Sequence, residues 1–275
     1  MTRYMVILLT VFLSIQLFAA TKSYPVTFYN PRTGCNQTQY FSFSITVVSD
    51  NYGTKSESSR YGKPFVYASP NEKYSITIYN PLPIRVACNL TIDGLSSITG
   101  SPVNVSGGSK WVIQPNSSIT ISGWQVSNDN ARRFYFTSKA NSYAKWRSNA
   151  WGRDLSVNCG VIGAAFFWSQ AELNEYYRSI YRPEPIVYDN ESPKCGASRP
   201  CPDYKRRDKS CESAAKQYNA GTGMGERYGN SVTRIYFNYD RGMYRATDAV
   251  VVYYDFGSPE YSYPNAFSNG YAPEY

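Results

Sequence analysis

The residue types that ordinarily carry out chemistry are unevenly supplied in this chain. It has no histidine. That removes Ser-His-Asp and Cys-His nucleophile systems, and histidine metal ligands with them. Six cysteines occur, at Cys35, Cys88, Cys159, Cys195, Cys201 and Cys211. An even number suits disulfides, whereas a catalytic thiolate must stay reduced. Carboxylate pairs for glycoside hydrolysis remain open by composition. Asp93, Glu172 and Glu175 are candidates, but Asp93 reads as a turn residue, Glu172 as a helix cap and Glu175 as a solvated helix face. No catalytic residue, metal site or cofactor is expected. The run Gly221-Thr222-Gly223-Met224-Gly225-Glu226-Arg227 is glycine-rich like a phosphate loop. It lacks the Gly-Lys-Ser/Thr ending, so it reads as a turn leading into a strand at Val232.

Other residues point to binding and covalent decoration. Asn36, Asn89, Asn104, Asn116 and Asn190 each begin an Asn-x-Ser/Thr sequon, and such sites accept N-glycans in a eukaryotic secretory pathway. Tyr143, Trp146, Trp151 and Arg153, with Lys145 and Arg147, fall in a polar stretch without periodicity. Loop 143–153 is the candidate binding surface, suited to stacking on sugar rings. Trp124 and Trp168 each end an alternating strand and read as core. Tyr261, Tyr263, Phe267, Tyr271 and Tyr275 lie in a Pro-containing tail, 257–275. Exposed rings cost hydration free energy, so this segment is the candidate for docking on a neighbouring subunit. Lys205-Arg206-Arg207 reads as a solvated turn.

Arg3 followed by an apolar run from Met5 to Phe18 and by Ala19 and Ala20 has the form of a signal peptide. Residues 1–20 are assigned to it, with cleavage after Ser23 as the rival. The run is short for a membrane span, and no later stretch is apolar enough for one. A secreted, extracellular protein is therefore expected, with no nucleic-acid role. The formal charge of +8 reads as ordinary solubility and leaves acidic polysaccharides open as partners.

The elements that must position these residues are short strands. Segments 26–29, 41–47, 64–68, 74–80, 85–95, 111–113, 118–124 and 134–136 show β-branched or aromatic enrichment, several with period 2. In 85–95, Val86, Cys88, Leu90 and Ile92 fall on one face, which turns Asn89 outward. Segment 158–168 is continuously apolar, as in a strand buried on both faces. Ser169 with Glu172 marks a helix start, running to about 181. A second short helix is expected at 212–218, and late strands at 232–239 and 249–254. The expectation is an all-β antiparallel sandwich or jelly-roll-like domain over 25–256. An irregular disulfide-containing insert, 169–230, interrupts it. Cys88–Cys159 is the suggested bridge, with Cys195, Cys201 and Cys211 holding the insert and one of them reaching Cys35.

Several pieces resemble an uncharacterised family of predicted secreted bacterial proteins. They are Tyr74-Ser75-Ile76 with Asn80, Ile92-Asp93-Gly94-Leu95, Ile121-Ser122-Gly123-Trp124, Phe134 to Ser138 with Ser142-Tyr143-Ala144, Gly160-Val161-Ile162-Gly163 and Gly221 to Arg227. The resemblance implies a shared fold over 44–168 and 214–254 and carries no activity. Taken together, the residues point to a structural or adhesive protein that associates with itself, with other extracellular proteins or with polysaccharides. The alternative is a carbohydrate-binding module using loop 143–153, and a secreted glycan-active enzyme ranks third.

Overall fold

The computed structural model describes residues 20–60, 62–181 and 218–257. In chain order the strands are β1 (Ala20–Asn30), β2 (Cys35–Ser49), β3 (Gly53–Thr54), β4 (Glu57–Arg60), β5 (Lys63–Tyr67), β6 (Lys73–Asn80), β7 (Val86–Ile92) and β8 (Leu95–Ser96). They continue with β9 (Trp111–Ile113), β10 (Ser117–Ile121), β11 (Gly123–Gln125), β12 (Asn130–Ser138), β13 (Val161–Trp168), β14 (Ala220–Gly229), β15 (Arg241–Gly242) and β16 (Val250–Asp255). Helix α1 (Tyr143–Trp151) lies between β12 and β13, and α2 (Gln170–Ile180) follows β13.

The strands form two sheets. One has the order β1-β2-β6-β12-β11, with β3, β10 and β14 attached to β2, β6 and β12. The other has the order β4-β5-β16-β13-β7-β8, with β9 on β7 and β15 on β13. Pairing is antiparallel except between β5 and β16, which run parallel. The sheets pack face to face through alternating residues. Phe43, Ile45 and Val47 of β2 are fully buried, and Phe43 meets Phe166 of β13 at 4.5 Å between ring centres. β13 is buried along its whole length, as its unbroken apolar run predicts.

Sequence and structure differ at four places. β1 is longer than 26–29 and starts at Ala20; its Pro25 is tolerated because β1 is an edge strand. The expected loop 143–153 contains α1. Ser142 Oγ accepts from Lys145 N at its start, and Gly152 ends it in the left-handed conformation at φ 62°. Ala220–Gly229 is a strand paired with β12, not a turn, while 232–239 forms no strand. β7 is buried on both faces, so its alternation does not turn Asn89 outward.

Helix α2 begins as expected, with Ser169 Oγ accepting from Glu172 N. It lays Leu173 and Tyr177 on the sandwich, Tyr177 stacking on Phe28 of β1 at 3.5 Å. The cysteine-bearing part of the insert, the suggested helix at 212–218 apart from Tyr218, and the tail beyond Gly257 lie outside the described residues.

Candidate functional site

Asp93 and Gly94 form the two-residue turn between β7 and β8, with Ile92 opposite Leu95. Both take left-handed backbone, φ 53° and 74°, as a type I′ hairpin turn requires. A Cβ on residue 94 would lie 2.8 Å from Asn158 Nδ2, so the turn is also pressed against the approach to β13. This geometry sends the Asp93 carboxylate into the sandwich, where the residue is 1% exposed.

Hydrogen-bond donors converge on it. Gly160 N and the Tyr254 hydroxyl donate to Oδ1 at 2.9 and 2.6 Å. Thr222 N donates to Oδ2 at 2.6 Å. Tyr254 has a single hydroxyl proton, committed to Asp93. The Thr222 hydroxyl, 2.7 Å away, must therefore donate to Tyr254, and Tyr74 must donate to Thr222, also at 2.7 Å. The chain Tyr74, Thr222, Tyr254, Asp93 crosses from the first sheet (β6, β14) to the second (β16 and the β7–β8 turn). Beside it, Ser142 Oγ lies 3.3 Å from Cys159 Sγ. Gly221 closes the gap: a Cβ there would meet Ser142 Cβ at 2.7 Å and Cys159 Sγ at 3.1 Å.

Burial pushes Asp93 up to about 6, against the pull of its hydrogen bonds from Tyr254, Thr222, Gly160 and Val161. Burial first, and the Asp93 charge second, raise Tyr74 and Tyr254 well above the ordinary tyrosine range. The same two causes raise the Cys159 thiol, opposed by Ser142. At neutral pH the centre holds one buried carboxylate charge surrounded by neutral hydroxyls. Tyr74, Asp93, Ser142, Cys159, Thr222 and Tyr254 are all 2% exposed or less. The arrangement serves to lock the two sheets together.

Segments far apart in the sequence meet here. Tyr74, Asp93, Ser142, Gly160 and Thr222 each come from a different segment, and Trp124 Nε1 donates to Gly223 O at 3.1 Å.

The expected binding residues have a different setting. Tyr143, Trp146 and Trp151 stand on α1, and Arg153 follows its C-cap. Trp146 is 66% exposed and Trp151 43% exposed. Trp146 lies nearly parallel to Tyr143, centres 5.6 Å apart. Arg147 is turned inward, its Nε donating to Gly100 O at 3.0 Å. The other side of the 96–101 loop opens on a groove of about 670 Å³ walled by Trp111, Gln125, Ile235, Phe237 and Tyr239. Sequence reasoning missed this groove, because segment 232–239 reads as a strand yet forms none.

Asn36 and Asn116 are exposed, Asn104 is half-buried and Asn190 lies outside the described residues. The expected exposure of Asn89 is overturned: it is fully buried. Its Nδ2 donates to the carbonyls of Asn104, Val105 and Gly107 at 3.0, 2.8 and 3.3 Å. The suggested Cys88–Cys159 bridge is also overturned, since both are buried free thiols. They sit at opposite ends of the strand region, Cys88 facing Phe166 near the end of β13 and Cys159 preceding its start. Cys195, Cys201, Cys211 and the tail residues Tyr261, Tyr263, Phe267, Tyr271 and Tyr275 lie outside the described residues. Glu172 pairs with Arg85 at 2.9 Å and Glu175 with Arg178 at 3.8 Å. Among the described residues no cluster of three or more His, Cys, Asp or Glu is placed to hold a metal ion. No described helix is long and apolar enough to cross a membrane.

No family model matches the chain, and neither the curated proteins nor the solved structures contain a significant match.

Proposed function

We propose that this is a secreted, N-glycosylated, disulfide-stapled β-sandwich protein without catalysis of its own, a structural or adhesive component of an extracellular surface, matrix or assembly. The observation that carries the reading is the pair of exposed indoles on α1. Trp146 and Trp151 keep much of their indole surface in water, and Trp146 stacks on Tyr143. Exposed aromatic rings of this kind favour contact with a partner. The chief buried acid, Asp93, is closed off and tied into the sandwich, which supports a role other than catalysis. Asn36 and Asn116 are the exposed glycan acceptors. Cys35 remains a proposed bridging residue, and Cys88 and Cys159 leave the set. The five tail aromatics remain the proposed assembly segment.

The second reading, a carbohydrate-binding module, is supported by the groove walled by Trp111, Phe237 and Tyr239. Its flat rings suit stacking on sugars.

One set of material tests both. The full-length protein secreted from eukaryotic cells and its W146A/W151A variant are compared on a glycan array and by sedimentation. The variant is expected to lose association at least about tenfold with an unchanged melting temperature. Self-association in the parent selects the adhesive reading, and array binding selects the carbohydrate reading. Equal behaviour of parent and variant in both assays would remove α1 from the function. Peptide mass spectrometry of the same material showing Asn36 and Asn116 bare would remove the glycoprotein part.

A further inference from the structure

Ala20 is an unusual opening residue for a β-strand. Its side chain is 1% exposed and packs in the core. It pairs with Ile45 at the far end of the β1–β2 ladder. Its backbone nitrogen lies 2.6 Å from Glu57 Oε1. Glu57 opens β4 in the opposite sheet and is half-buried. Among the described residues no ion pair includes it. A half-buried carboxylate with a single amide donor is under-compensated, and burial pushes Glu57 up to about 7, with only the Ala20 hydrogen bond opposing.

The sequence around Ala20 offers the missing charge. The apolar leader ends at Phe18, and Ala19 is a small residue of the kind found just before a signal cleavage site. Cleavage after Ala20 would discard a core residue, whereas the two cuts are alike in leaving a bulky residue, Leu17 or Phe18, three positions back. Cleavage after Ser23 would strip Ala20 to Ser23 from β1. It would remove their pairing with Ile45, Ser44, Phe43 and Ser42 and the 2.9 Å Ser23–Ser42 hydroxyl bond.

We infer that the precursor is cut between Ala19 and Ala20, and that the new α-ammonium of Ala20 is the counter-ion of Glu57. Water, delivered by a signal peptidase, adds across the Ala19–Ala20 amide. Ala19 leaves as a carboxylate, and Ala20 takes the proton as an amine that is ionised at neutral pH. One amide donor is thus replaced by three ammonium donors at contact distance from a carboxylate, a charge-assisted hydrogen bond stronger than the neutral one. The pair joins the first strand of one sheet to the other sheet, so processing completes the sandwich.

This inference rests on the secretory reading, and the test separates the two. N-terminal sequencing of the protein secreted from eukaryotic cells is expected to begin Ala-Thr-Lys-Ser. A start at Thr21 or Tyr24 overturns the inference and leaves secretion intact. Intact, cell-retained precursor overturns both. A second measurement compares E57Q in chains beginning at Ala20 with E57Q in chains carrying a short extension before Ala20. E57Q is expected to lower the melting temperature by roughly 2–4 °C in the first background only. An equal fall in both backgrounds means that Glu57 is not paired to a terminal ammonium.

Discussion

A carboxylate that titrates near pH 6 inside a sandwich ties folding stability to acidity. The folded pKa of Asp93, about 6, lies above the ordinary value of 3.8. Between those values the folded state holds a proton that the unfolded chain has released. The contribution is therefore fully present below the unfolded pKa and is lost as pH rises through 6. D93N does not titrate at this position. The stability of the parent relative to D93N should fall by about 2 kcal/mol between pH 4 and pH 7, as measured by urea unfolding. A difference that does not change with pH would show that Asp93 titrates normally. The residue itself is legible in the sequence as a turn former, and it is one. Its partners are not, because Gly160, Thr222 and Tyr254 lie 67, 129 and 161 residues further along the chain. Local pattern carries no information about contacts of that span. Asn89 misleads for the opposite reason. Alternation assigns it to the wet face, but the 104–107 loop supplies carbonyls that satisfy its amide in the dry interior.

At the scale of elements, legibility follows what each element packs against. β2 and β13 are read directly from composition, since one buries every second residue and the other buries all. α1 has weak apolar periodicity, and its signals are the capping Ser142 and the terminal Gly152. β14 is the least legible, because glycine has low strand propensity and four of its residues are glycine. Their value lies in proximity. At Gly221 a methyl group would press on Ser142 and Cys159, and Ser142 Cβ is fixed to the backbone of the α1 cap. At Gly229 nothing lies within 4 Å. G221A should therefore cost about 1–3 kcal/mol, while G229A should stay within about 0.5 kcal/mol of the parent. Thermal unfolding of the two variants checks this. Equal melting temperatures would mean that the α1 cap yields to β14 without cost.

For the whole molecule, the parallel pairing of β5 with β16 decides which parts are indispensable. β16 stands between β5 and β13 and carries Tyr254 to the Asp93 centre. A chain ending at Gly257 keeps this strand, and one ending at Ala249 loses it. The first should melt cooperatively and the second should not; a cooperative transition in both would show that β4 and β5 hold to the sandwich by other means. The same pairing sets a schedule for synthesis. Residues 63–67 emerge from the ribosome well before their partner at 250–255. Until β16 is made, the edges of β5 and β13 that it covers stand open, and β13 is apolar on both faces. The nascent chain thus carries an unfinished seam while about 180 residues are added. Its exposure to wrong pairing lasts for that whole interval.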